Sequence, residues 1–230
     1  MNEFISKRKS IRKYDPAPLD DAALDQVRDK IASVNPLYRD IRYSIEISSK
    51  TKGAFGVKAP HYLIFGSEDK DGAYENIGFI GQQMDLFFSS SGLGSCWLGG
   101  AKPDDMEPSL PFVVGMAFGN PAEPLHREQT AIKRKPLSEI SEGTDERLEA
   151  ARLAPSAMNM QDWYFVVDGE KIHCYRTNPK ALFRSMWGKL GYIDMGIALC
   201  HISICSGDFR FGKEANAPTR KKCEYIGTVY

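Results

Sequence analysis

Apolar and polar positions along this chain follow two periods, and the same succession of periods occurs twice. Residues 59–66, Ala-Pro-His-Tyr-Leu-Ile-Phe-Gly, form an apolar run closed by a turn residue, which predicts a buried strand. Residues 161–168 have the same size and character in the second half. Downstream of each run, apolar residues recur at steps of three and four: Ile77, Ile80, Met84 and Phe87, then Met195, Ala198, Ile202 and Cys205. That spacing places each set on one face of a helix. The two helices open alike, on Asn76-Ile77-Gly78 and Asp194-Met195-Gly196. A last strand follows each helix, at 114–118 and 226–230, and a helical segment precedes each set, at roughly 20–32 and 144–153.

Three matched elements in one order predict an α+β protein with mixed or antiparallel sheet flanked by helices. Its two related halves would pack about a pseudo-twofold axis, because symmetric pairing is the commonest way to bury a shared face. The boundaries expected are 1–121 for the first half, 122–143 for a linker and 144–230 for the second half, together one unit over 1–230. Pro121, Pro124 and Pro136 break regular structure in the linker. Two unrelated α+β segments with similar helix patterns are the alternative.

Composition narrows the setting. Thirty basic and thirty acidic residues balance, so nothing favours nucleic acid or an acidic membrane face as partner. Five cysteines without a CxxC pair suggest reduced thiols. No run approaches the roughly 20 apolar residues of a membrane span. The start of the chain is charged from Glu3 onward, unlike a signal peptide, and a cytoplasmic location is expected. His126, His173 and His201 lack ligand spacing, so no metal is expected.

Chemistry is to be sought where the halves differ. Arg8, Ser10 and Arg12 alternate, so an extended segment would turn them one way as a receptor for phosphate or an electron-rich plane. An exposed basic arm is the other reading. Gly92–Gly100, Gly-Leu-Gly-Ser-Cys-Trp-Leu-Gly-Gly, leaves a helix with glycines that let bare backbone approach a ligand, though it equally suits an ordinary connection. Cys96 reads as a small core residue, without a histidine beside it to make it a nucleophile. Pro155, Ser156, Ala157, Asn159 and Gln161 form a polar corner whose groups could read a heterocycle or cap their own turn.

Together these segments resemble the nitroreductase family, in the fused pseudo-dimer variant of the TM nitroreductase type. Arg8-Lys9-Ser10-Ile11-Arg12-Lys13-Tyr14 resembles the family's RRSIRxF opening. Residues 150–163 resemble AARLAPSAxNxQPW, with Asp162 where proline is usual, and 92–100 resemble GLGTCWxGG. Lys133-Arg134-Lys135-Pro136-Leu137 resembles the basic closing motif. The motifs span most of the chain, but PSAxN follows the closing motif instead of preceding it. Family members are typically entwined homodimers with each FMN site built from both subunits, so the order here implies both contributors on one chain and one surviving site.

The resemblance implies FMN as cofactor and NAD(P)H as reductant. Arg8 and Ser10, with Lys9, Lys133 and Lys135, would hold the phosphate, and Arg12 would lie by the pyrimidine edge. Leu98, Gly99 and Gly100 would face N5, and Pro155, Ser156, Ala157 and Asn159 would line the ring from the second half. The flavin would carry the chemistry, with no catalytic acid or base named. Partners implied are a small electron-poor acceptor such as a nitroaromatic or quinone, and a monomer or weak homodimer is expected. The acceptor pocket would fall near 50–57 and 177–190, with Phe55, Phe183 and Trp187. The loss of one site leaves open a flavin-binding or structural pseudo-dimer without turnover.

Overall fold

The computed structural model describes residues 2–53, 56–128, 132–177 and 188–230. Its first half opens with α1 (Asn2–Lys7) and α2 (Asp21–Ala32), whose first turn is capped by Asp20 accepting from the Ala23 N–H. Strands β1 (Tyr43–Ser48), β2 (Thr51–Lys52) and β3 (His61–Ser67) lead to the long helix α3 (Ala73–Ser90). Strands β4 (Gly94–Leu98), β5 (Lys102–Pro103) and β6 (Phe112–Gly119) complete this half. Then come α4 (Leu137–Ile140), β7 (Ser141–Glu142), α5 (Arg147–Arg152), β8 (Trp163–Asp168) and β9 (Lys171–Thr177). Helix α6 (Leu190–Ile204) and strands β10 (Phe211–Gly212) and β11 (Cys223–Val229) follow.

Two larger sheets result. The first has the order β1-β3-β6-β4, antiparallel throughout; the second has β10-β11-β9-β8-β7. Removing β7, which pairs parallel to β8, leaves the second sheet antiparallel with the same topology as the first: β8, β9, β11 and β10 stand where β1, β3, β6 and β4 stand. The internal repeat expected from periodicity is therefore present in strand order, with one correction. The counterpart of the 59–66 strand is β9, not the 161–168 strand. Strand β9 escapes an apolar reading because it carries His173 and Arg176, yet both are buried with polar partners: His173 Nδ1 lies 2.8 Å from Thr228 Oγ1, and Arg176 pairs with Glu224. Both long helices also begin earlier than their apolar pattern suggests, at Ala73 and Leu190 instead of Asn76 and Asp194. Residues 137–142 of the expected linker already belong to α4 and β7.

Helices α3 and α6 are buried on nearly every side and supply the middle of one continuous core. Ile77, Met84 and Phe88 from the first half pack in the same cluster as Met195, Ile202 and Trp163 from the second. The helices cross backbone on backbone. A Cβ on Gly78 would fall on the Ile193 carbonyl, and one on Gly196 would fall on the Glu75 carbonyl. No described helix is long and apolar enough to cross a membrane.

This crossing yields a direct expectation. Gly78→Ala and Gly196→Ala should each destabilise the fold by about 1–3 kcal/mol or more, since the obstruction is rigid backbone. Gly207→Ala, where an added Cβ meets nothing, should stay within about 0.5 kcal/mol. Urea unfolding curves measure all three; a neutral Gly196→Ala would contradict the close crossing.

Candidate functional site

The segment after α1 is laid along the start of β4. Ile11 is fully buried, donates its N–H to the Ser95 carbonyl at 2.8 Å, and fills the space left by the missing side chain of Gly94. This anchor sets the residues on either side. Arg8 is only 3% exposed; its Nε lies 2.8 Å from Asp85 Oδ2 as an ion pair, and its Nη2 donates to Ser10 Oγ at 3.3 Å. Lys9 and Ser10 are half-buried and Arg12 is exposed, so the expected single face of Arg8, Ser10 and Arg12 is graded from inside to outside. The charges of Arg12 and Arg8 both act on the Cys96 thiol. Burial outweighs them and pushes that thiol up, which fits the reading of Cys96 as a core residue.

The basic closing motif meets the polar corner of the second half. Arg134 Nε donates to the Ala154 carbonyl at 3.0 Å, and its Nη1 donates to Asn159 Oδ1 at 2.7 Å and to the Lys133 carbonyl at 3.0 Å. Lys135 gives its N–H to Gln161 Oε1 and its ammonium to the carbonyls of Met160 and Gln161. Lys133 is exposed, and its carbonyl also accepts from Asn159 Nδ2. Segments far apart in sequence, residues 133–135 and 154–161, are thus zipped together. Lys135 directs its charge at the loop, while Arg134, to which the family motif assigns no role, feels the charge of Arg8.

That loop is strained. Met158, Asn159 and Gln161 have φ of 51°, 58° and 54°, left-handed values that cost a non-glycine residue on the order of 1 kcal/mol each. Such outliers persist only where surroundings over-determine them, and they cluster at functional sites. The restraints are visible. Pro155 is buried, Ser156 Oγ accepts the Gln161 N–H, and the Ala157 N–H points between the two oxygens of Asp194 at 3.0 and 3.1 Å. In the first half, Asn76 Oδ1 accepts the Tyr38 N–H at 3.0 Å, the matching contact on the matching helix position. Met158 is held out in solvent, 77% exposed.

At the far end of β4, Leu98 is buried and Gly99 and Gly100 are exposed. Gly99 packs on Leu190 at the start of α6, where a Cβ would lie 3.1 Å from its Cδ1. Gly53, at φ 73°, lies against the Gly100 carbonyl. Phe55, Phe183 and Trp187, expected near an acceptor, lie outside the described residues.

Electrostatics favour an anion at one end. Arg127 and Arg134 are both pushed down to about 10, by burial first and by Arg8 next. Three guanidiniums thus repel one another, and of these Arg8 is ion-paired with the buried Asp85. A phosphate would relieve that repulsion. Arg8, Ser10 and Arg134 therefore suit the anionic end of a ligand, and α6 touches both Gly99, through Leu190, and the Pro155–Asn159 loop, through Asp194. The two described grooves, about 640 and 590 Å³, lie elsewhere, around α1 and α5 and around α4 and α5. Asp85, Arg127 and Asp194 went unnoticed in the sequence, although Asp85 and Asp194 are lone acids inside apolar helix stretches, a readable sign of a buried partner.

Asp194 makes a pH prediction. Burial pushes its carboxyl up to about 8, so folding favours the protonated form. The unfolded chain releases that proton near pH 4, hence stability tied to this group is present at low pH and declines as pH rises toward 8. The melting temperature of Asp194→Asn relative to wild type should therefore climb between pH 5 and 8 and level off above. A difference constant across that range would refute the assignment.

The family model described as "Putative TM nitroreductase" matches residues 1–206. A "putative nitroreductase" of Thermotoga maritima superposes with a TM-score of 0.67 at 20% identity, covering 99% of this chain and 92% of that one. An FMN-dependent nitroreductase of Clostridium difficile covers 57% of this chain and 94% of its own, at 20% identity and a TM-score of 0.45. No curated protein sequence matches. A family match over most of the length, on a fold shared end to end with the Thermotoga protein, makes this chain an oxidoreductase-class member of the TM nitroreductase family.

Proposed function

We propose that the chain is an FMN-dependent oxidoreductase that takes hydride from NAD(P)H and passes it to a small electron-poor acceptor, such as a nitroaromatic or a quinone. The observation that carries this reading is the arginine cluster of Arg8, Arg127 and Arg134, in which Arg134 is hydrogen-bonded to Asn159 of the strained second-half loop, so that segments of both halves meet. FMN, when bound, supplies the two-electron chemistry, its N5 accepting and returning hydride.

The protein's part is to bind, orient and tune. Arg8 and Ser10 hold the phosphate, with Arg134 and the exposed Lys133 adding charge and Lys9 at the margin. Arg12, exposed beyond them, offers a cation to the pyrimidine edge, which favours a reduced anionic ring. Leu98, Gly99 and Gly100 present backbone without side chains in the way, and Pro155, Ser156, Ala157 and Asn159 line the ring from the other half. No side chain is required to move a proton. His201 fits that view, since burial drives it down to about 3 and it stays neutral within the core. The chain works in the cytoplasm on a small molecule, as a monomer or weak homodimer, with one site per chain.

Under exclusion of oxygen, NADH or NADPH should bleach the yellow absorbance of the purified protein, and a nitroaromatic should restore it. A coloured protein whose spectrum neither nucleotide changes would rule out the nicotinamide step; a colourless protein that takes up no added FMN would rule out the flavin.

A further inference from the structure

Behind Arg8 runs a buried polar chain that crosses from one half to the other. Asp85 sits on α3, accepts from Ser95 Oγ at 2.6 Å and Gln82 Nε2 at 2.9 Å, and forms an ion pair with Arg8, whose Nε lies 2.8 Å away. The orientation of Gln82 follows from its contacts. Its amide oxygen accepts from Trp97 Nε1 at 3.3 Å, so its NH₂ faces both Asp85 and His201 Nε2, the latter at 3.0 Å. His201 therefore carries its proton on Nδ1 and donates it to the Ala150 carbonyl at 2.9 Å. Ala150 lies on α5, which runs directly into the Pro155–Asn159 loop.

Arg8, Asp85, Gln82 and His201 are each at least nine-tenths buried. Buried polar groups that partner one another in a chain hold one another in one geometry. Arg8 needs one geometry. A guanidinium grips a phosphate well only when its fork is aimed, and its own side chain has several rotatable bonds. Asp85 takes the inner edge of the guanidinium and leaves the edge beside Ser10 for a ligand.

We propose that Asp85 is a positioning residue for the cofactor phosphate, aiming Arg8 from behind and, through Gln82 and His201, tying that aim to the helix that carries the second half's loop. The inference rests on the FMN reading. Its signature is a preference for FMN over riboflavin, which lacks the phosphate, because a general loss of structure would weaken both flavins alike.

The test is equilibrium binding of FMN and of riboflavin to the flavin-stripped full-length chain, read by flavin fluorescence, for wild type, Asp85→Asn, Arg8→Gln and the double variant. Wild type should prefer FMN by about tenfold or more, as a charge-assisted contact predicts. Asp85→Asn should lose most of that preference while keeping riboflavin affinity, and the double variant should lose no more than Arg8→Gln alone. If Asp85→Asn does not fold, Ser95→Ala, which removes one donor to Asp85, should lower the preference about two- to tenfold. A preference unchanged in Asp85→Asn, or in Ser95→Ala where that is the variant read, overturns the inference alone. So does additive loss in the double variant. A wild type that binds neither flavin overturns the FMN reading and this inference with it.

Discussion

Two glycines at matching positions let the central helices touch backbone to backbone, and the rest of the molecule is arranged around that contact. Gly78 on α3 meets the carbonyl of Ile193, and Gly196 on α6 meets the carbonyl of Glu75. Larger residues at either position would push the helices apart. Each helix also carries a buried acid that holds a site segment: Asp85 on α3 faces Arg8, and Asp194 on α6 takes the Ala157 N–H. The distance between the two helices therefore sets the distance between the arginine end of the site and the loop opposite.

The site stores free energy in two forms. Three left-handed non-glycine residues within four positions strain the loop, and two arginines are held below their ordinary range by burial and mutual repulsion. Neither arrangement favours stability for its own sake. Both are what a preorganised receptor needs, since a loop already bent and a cluster already charged leave little to arrange when an anionic, planar ligand arrives. The restraints that maintain them are side chain to backbone: Arg134 on Ala154, Ser156 on Gln161, Lys135 on Met160.

Part of the fold is legible in the sequence. The matched openings around Gly78 and Gly196 were readable because backbone contact tolerates no other residue there, and the motifs at 8–12, 92–100, 133–135 and 155–161 were readable as a family pattern. What escaped had physical causes. Strand β9 looked half-polar, because its buried His173 and Arg176 find partners on β11 that are remote in sequence. Strand β1 alternates Tyr-Ser-Ile-Glu-Ile-Ser at the sheet edge, a weak signal beside the apolar run of β3. The partners of Arg8 and Ala157 lie 77 and 37 residues away on helices, where periodicity identifies a face but not which polar atom on it meets which.

One ligand site, on the proposed reading, is assembled from both halves of a single chain. Its most direct test is the ratio of flavin to protein chain, from the visible spectrum of the released cofactor and the amino-acid content of the same sample. A single shared site gives a ratio close to one after saturation with FMN. A ratio close to two would contradict it, because each half would then be building a site of its own.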